Sequence, residues 1–137
     1  SIGASAIPIL NQKYNLTISY MDTDNRKREI IRKKVGDLSL KYSIKPYTIT
    51  KANALGVKVK PSTRKNKKLD VYDKKGEYLV SVGAKGYSDY PTYMELEALG
   101  VYKHGHAKKR RTLYKKRHNR DRSVIGSAGY YADKLLW

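Results

Sequence analysis

Between Lys103 and Arg122 the chain sets ten lysines and arginines against a single acid, Asp121, a local surplus of +9 within a formal net charge of +18. A run of this kind can bind anions. Its candidate contact residues are Lys108, Lys109, Arg110, Arg111, Lys115, Lys116, Arg117, Arg120 and Arg122. Phosphates would make the segment a nucleic-acid contact whose affinity falls steeply with salt as counterions are released. Carboxylates would make it a protein–protein clamp, with arginines in bidentate pairs. Read as a helix over residues 106–119, the segment has only Ala107, Leu113 and Tyr114 as apolar contacts, with Arg110 and Arg117 flanking Leu113. Like charges one turn apart cost an isolated helix about 0.2–0.5 kcal/mol per pair. The segment is therefore expected to draw its neutralising groups from outside the chain.

No arrangement for catalysis stands beside it. The 12 acids are scattered among cations, which hold carboxylates ionised and not poised near neutrality. The nearest acidic pair, Glu95 and Glu97, faces different sides of a helix, and no nucleophile sits with a base. His104 and His106 form a His-x-His pair with His118 further on, but with no Cys and no nearby carboxylate a metal would lack ligands. Gly83-Ala84-Lys85-Gly86 follows a strand and precedes a helix, yet it lacks the spacing and closing Lys-Ser/Thr of a P-loop and reads as a tight turn. A binding or assembly protein is expected, with no enzyme activity, cofactor, metal or small-molecule substrate.

Composition agrees with that class. A chain of 137 residues suits one domain, or one domain with an arm. Thirty Lys and Arg against 12 acids favour polyanions or acidic protein surfaces as partners. No apolar run approaches the roughly 20 residues that span a bilayer. Cys and Phe are absent while Tyr occurs 13 times, a choice that suits half-dry, half-wet interfaces.

The elements that would position the basic run read as strands first and helices last, an α+β arrangement. Ser1–Leu10 reads as an arm or first strand and not a targeting peptide, because no basic segment precedes it. Leu16, Ile18 and Tyr20 alternate, as do Leu38, Leu40, Tyr42 and Ile44, which predicts strands at 15–21 and 37–45. Residues 26–35 fit a strand slightly better than a helix stopped by Gly36. Thr50–Leu55 reads as one helical turn capped by Thr50, and Val57 and Val59 begin a short extended piece. A hairpin is expected over 69–72 and 77–82 with its turn at Asp73–Gly76. Helices follow near 88–100, 106–119 and 130–137. The boundary falls at 61–68, dividing a β-rich N-terminal region or arm (1–61) from a β-hairpin with basic helices (62–137). Tyr114, Tyr130, Leu135, Leu136 and Trp137 form the candidate apolar docking group, because so apolar a run must be buried against its own hairpin or another subunit.

Three boxes carry a resemblance: Val82-Gly83-Ala84-Lys85-Gly86-Tyr87-Ser88-Asp89-Tyr90, Leu113-Tyr114-Lys115-Lys116-Arg117-His118, and Gly129-Tyr130-Tyr131-Ala132-Asp133-Lys134-Leu135-Leu136-Trp137. From about Leu69 onward the chain resembles a family of small basic proteins of large nucleocytoplasmic DNA viruses, of the algal-virus type. The resemblance implies a viral, virion-associated protein, made in an infected host cell and located in the capsid. It would be a minor capsid component that cements major capsid subunits on the inner face of an icosahedral shell. Its partners would then be the major capsid protein and other minor proteins. The alternative is a nucleic-acid-binding protein for viral genome packaging or RNA handling, in which Arg110, Arg111 and Arg117 contact phosphates beside Tyr114.

Overall fold

The first 55 residues are built from helices, not strands. The computed structural model describes residues 1–137. Its elements run α1 (Ala6–Tyr14), α2 (Asp24–Val35), α3 (Pro46–Leu55), β1 (Lys58–Pro61), β2 (Lys67–Tyr72), β3 (Tyr78–Ala84), α4 (Tyr90–Ala98), α5 (His106–Arg117), a 3-10 turn at Asp121–Ser123, and α6 (Ala128–Leu136). The chain is α+β, with an antiparallel sheet between two groups of helices. The expected order of N-terminal strands followed by C-terminal helices is thus corrected.

Each misread segment has a local reason. In the Leu16–Tyr20 stretch the backbone finds a side chain where a strand would find a ladder. The Ile18 N–H donates to Asn11 Oδ1 at 2.8 Å and Asn11 Nδ2 donates to the Ile18 carbonyl at 2.9 Å. One amide thus replaces both bonds that a neighbouring strand would supply. Ile18 is buried while Tyr20 faces solvent, so the alternation ends there. Residues 24–35 are helical because Thr23 Oγ1 accepts the Arg26 N–H, Asp24 lies in the first turn, and Arg32, Lys33 and Lys34 lie in the last. Cap and charges all suit the helix dipole. In 37–45, Asp37 Oδ1 accepts from the Ser39 N–H and hydroxyl and sets a turn, leaving Leu38 and Leu40 exposed. Tyr42 and Ile44 pack against the interior without pairing to a strand. The next helix starts at Pro46, four residues before the expected cap, where proline suits the first turn.

The sheet is a meander in the order β1-β2-β3, with Val59 opposite Val71 and Leu69 opposite Val82. The hairpin turn forms at Asp73–Gly76, where Asp73 Oδ1 accepts the Lys75 and Glu77 amides at 2.9 Å. Gly83 has φ of 83°, and a Cβ there would come within 2.7 Å of Leu136 Cδ1, so its lack of a side chain lets α6 lie against the sheet.

Two apolar clusters hold the elements. The first joins Ile7 and Leu10 of α1, Ile18, Ile31 of α2, Leu96 of α4 and Val101. The second joins Ala52 of α3, Val57, Leu69, Val71 and Val82 of the sheet, and Leu135 and Leu136 of α6. Both draw on residues before and after the 61–68 boundary, and β1 pairs with β2 across it. Beside them lies a fully buried ion pair. Asp89 caps α4 by accepting the Thr92 N–H at 3.1 Å, and its Oδ2 accepts from Tyr42 at 2.6 Å and Lys68 at 2.9 Å. Burial pushes the Asp89 carboxyl up, but the Lys68 charge and these donors outweigh it and hold it below its usual range. No helix is long and apolar enough to cross a membrane.

Candidate nucleic-acid interface

The basic run forms α5, the 3-10 turn and the residues between them. As a sequence α5 is a poor helix: it has no acid and begins at Gly105, which offers no side-chain cap. Its stabilising groups come from other elements. Glu97, in the last turn of α4, accepts the Ala107 N–H at 2.8 Å and so caps the helix from a distance. Bonds from the Ala107 and Gly105 amides hold its carboxyl below the usual range. At the other end Asp133 of α6, itself buried, accepts from Lys115 Nζ at 2.8 Å and Arg122 Nε at 3.1 Å. Burial pushes the Asp133 carboxyl up, yet the two cations outweigh it and keep it ionised below its usual range.

The inner face of α5 is aromatic. Tyr114 is buried and stacked on Trp137, with centroids 4.1 Å apart and planes 5° off parallel, and His118 stacks 4.2 Å away. Burial pushes the Tyr114 phenol up to about 12. Arg110 lies 5.7 Å from the Tyr93 ring and Arg111 4.3 Å from the Tyr90 ring, contacts that absorb cations without an acid. Leu113, expected as an apolar contact, instead turns outward at 36% exposure.

The structure therefore divides the nine candidate residues. Lys115 and Arg122 are paired with Asp133, and Arg110 and Arg111 lie over tyrosines. Lys108, Lys109, Lys116, Arg117 and Arg120 are exposed with no carboxylate within 4.0 Å. Of the apolar docking group, Leu135 and Leu136 are buried in the second cluster and Trp137 packs against it, so α6 is covered by the chain's own sheet. Tyr114 joins them through Trp137, while Tyr130 is half-buried.

Elsewhere the acids are largely engaged within the chain. Asp70 accepts from the Ser62 and Ser81 hydroxyls at 2.5 Å, Glu95 from Tyr14 at 2.7 Å and Lys13 at 2.6 Å, and Asp22, Asp37 and Asp73 hold turns. Asp22, Asp37, Asp70 and Asp73, bound to backbone amides and hydroxyls, have no lysine or arginine within 4.0 Å. Only six of the 30 lysines and arginines have a carboxylate within 4.0 Å: Lys13, Lys27, Arg28, Lys68, Lys115 and Arg122. The histidines are spread out. His104 is fully exposed, His106 stacks on Tyr102 at 4.1 Å, and His118 meets Asp121 at 3.0 Å. No three histidines or acids converge as a metal site.

Sequence reasoning missed Glu97, Asp133, Tyr90 and Tyr93 as partners of this segment. Asp133 is the lone acid of an apolar C-terminal run, a signal that a cation must meet it.

Residues 57–92, which comprise the three strands and the start of α4, match the model of a family of unknown function (DUF5754). No curated protein and no solved structure matches the chain.

Proposed function

We propose that this chain is a nucleic-acid-binding protein that holds the phosphate backbone on the outer face of α5 and the turn after it. The observation that carries the reading is the division of charge. Lys115 and Arg122 are paired with Asp133, and Arg110 and Arg111 lie over Tyr93 and Tyr90, while the five exposed cations of α5 and the turn after it have no carboxylate within 4.0 Å. Phosphates spaced along a backbone suit such an array, and lysines among them suit nonspecific contact better than base readout. The test is binding of a duplex by the purified chain and by a variant with Lys108, Lys109, Lys116, Arg117 and Arg120 all changed to Ala. All five are exposed, so the fold should persist. The wild type should bind with a log–log salt slope of about −4 to −5 if each residue meets one phosphate. Equal affinity of the two proteins would end this reading.

A minor capsid component is the second reading, and one observation favours it. Val124 and Ile125, directly after the basic face, are 58% and 84% exposed, and Leu38 and Leu40 are exposed in another loop. Apolar side chains offered beside a cationic face suit a protein neighbour with an acidic rim. The resemblance to small basic virion proteins supplies the setting. Under this reading, Ile125→Ser would reduce incorporation into assembled shells and leave duplex affinity unchanged.

A further inference from the structure

A second cationic surface lies on the far side of α4. A hollow of about 410 Å³ opens between α1, the 37–45 loop and the β3–α4 turn. Six lysines line it (Lys13, Lys34, Lys41, Lys45, Lys68 and Lys85) against two acids, Asp37 and Glu95. Lys13 is taken by Glu95 and Lys68 by Asp89, which leaves four lysines with no carboxylate within 4.0 Å. Lys45 is the most enclosed of these. Burial draws its ammonium below the ordinary value, more than the Asp89 and Glu95 charges hold it up. Its Nζ donates only to the Ser43 carbonyl, at 2.9 Å, and lies 4.7 Å from the Tyr42 ring. A half-buried ammonium with spare donors gains from an anion.

This hollow does not end blindly. A second one, of about 420 Å³, lies between the sheet, α5 and α6, and the two share Lys68, Tyr87 and Ser88. The second is lined by Arg110, Arg117 and the rings of Tyr93, Tyr114 and Trp137. Arg110 Nε is buried there with no hydrogen-bond partner. At the divide Tyr87 is 75% exposed, and its ring meets no other ring. Gly86, at φ of 92°, turns the chain so that this ring stands between the hollows.

We infer that the two hollows form one trough that takes single-stranded nucleic acid, with phosphates among the lysines of the first hollow, a base on Tyr87, and the strand continuing toward Arg110 and Arg117. The inference rests on the reading that the chain binds nucleic acid, and it adds which form is taken and where. The concave shape decides between the forms. A rigid duplex meets an exposed helix face, whereas separate hollows around a free ring accept splayed nucleotides. Cations tracking a backbone with rings for stacking are the combination that holds single strands.

The test compares a labelled single strand and a duplex, each of about 12 nucleotides, a length that spans the usual single-strand site. Both are titrated against the full chain, its Tyr87→Ala and Tyr87→Phe variants, and a Lys34→Gln/Lys41→Gln/Lys85→Gln variant. Losing one stacked base should weaken single-strand binding by about 5- to 100-fold. Tyr87→Phe should restore it, and the triple lysine variant should also lose single-strand affinity. Duplex affinity should stay within about twofold of wild type for the Tyr87 variants, which leave the phosphate contacts of α5 in place. Single-strand binding unaffected by Tyr87→Ala, or equal losses on both forms, would overturn the inference while leaving the α5 reading intact. Absence of binding to either form would overturn both.

Discussion

Two basic helices of twelve residues, α2 and α5, reach the same conformation by opposite routes. α2 carries most of its stabilising groups itself. Thr23 caps it, Asp24 lies within 4.0 Å of both Lys27 and Arg28, and Ile31 is fully buried on its inner side. Its two inward cations end on backbone carbonyls, Lys27 on Tyr20 and Arg28 on Val101. α5 has neither cap nor acid and depends on Glu97 from α4 and Asp133 from α6. The difference shows how charge can be sorted by folding. In α5 tertiary contacts pin the inner cations, and the outer ones remain for a partner.

Removing the remote acid should break the comparison most sharply. Asp133→Asn leaves Lys115 and Arg122 without their shared carboxylate, and loss of charge-assisted hydrogen bonds of this kind costs about 2–3 kcal/mol. Urea unfolding would measure the loss, and hydrogen exchange should place it in α5 and not in α2.

Acid should produce the same split without mutation. The Asp133 and Asp89 carboxyls titrate below the usual range in the folded chain. Their contribution is complete above the unfolded value of about 4 and is lost as pH falls through the lower folded values. Unfolding midpoints measured from neutral to acidic pH should therefore fall below about pH 4, and Asp133→Asn should flatten part of that fall. A midpoint that rises on acidification would contradict the assignment.

The cap sharpens the comparison from the other side. Thr23→Ala should cost about 1 kcal/mol and fray α2 alone. Glu97→Gln should speed exchange of the Ala107 amide and leave α2 unchanged. The smallest effect belongs to Asp24→Asn, about 0.5 kcal/mol or less, because its pairs are long and partly exposed.

The C-terminal half was the more legible in sequence. The Asp73–Gly76 turn between alternating runs gave the hairpin, and the helix expected near 88–100 forms as α4, capped by Asp89. The N-terminal half misled because alternation records an extended chain but not its partner. Leu16 to Tyr20 is satisfied by the Asn11 side chain, and Tyr42 and Ile44 reach the interior from an unpaired loop. In α2, Ile30, Ile31 and Val35 fit a helix stopped by Gly36, and only the strands expected on either side tip the reading to strand. The signals that decide otherwise, Thr23, Asp24 and Gly36, are all present in the sequence. For the site, total charge located the segment, but its division into inner and outer cations was hidden. Asp133 stands 18 residues from Lys115, and Tyr90 and Tyr93 lie on another helix, so only the fold brings them together.

The central claim is that the outer cations of α5 meet phosphate, and the salt dependence of duplex binding tests it most directly. Changing Lys108, Lys109, Lys116, Arg117 and Arg120 to Ala should lower the magnitude of the log–log slope by about 4.5, or about 0.9 for each phosphate contact removed. Changing the exposed Arg26, Arg32 and Lys33 of α2 should lower it much less for each charge removed. An equal loss per charge from the two helices would mean that only overall charge attracts the duplex, and the account of α5 would be wrong.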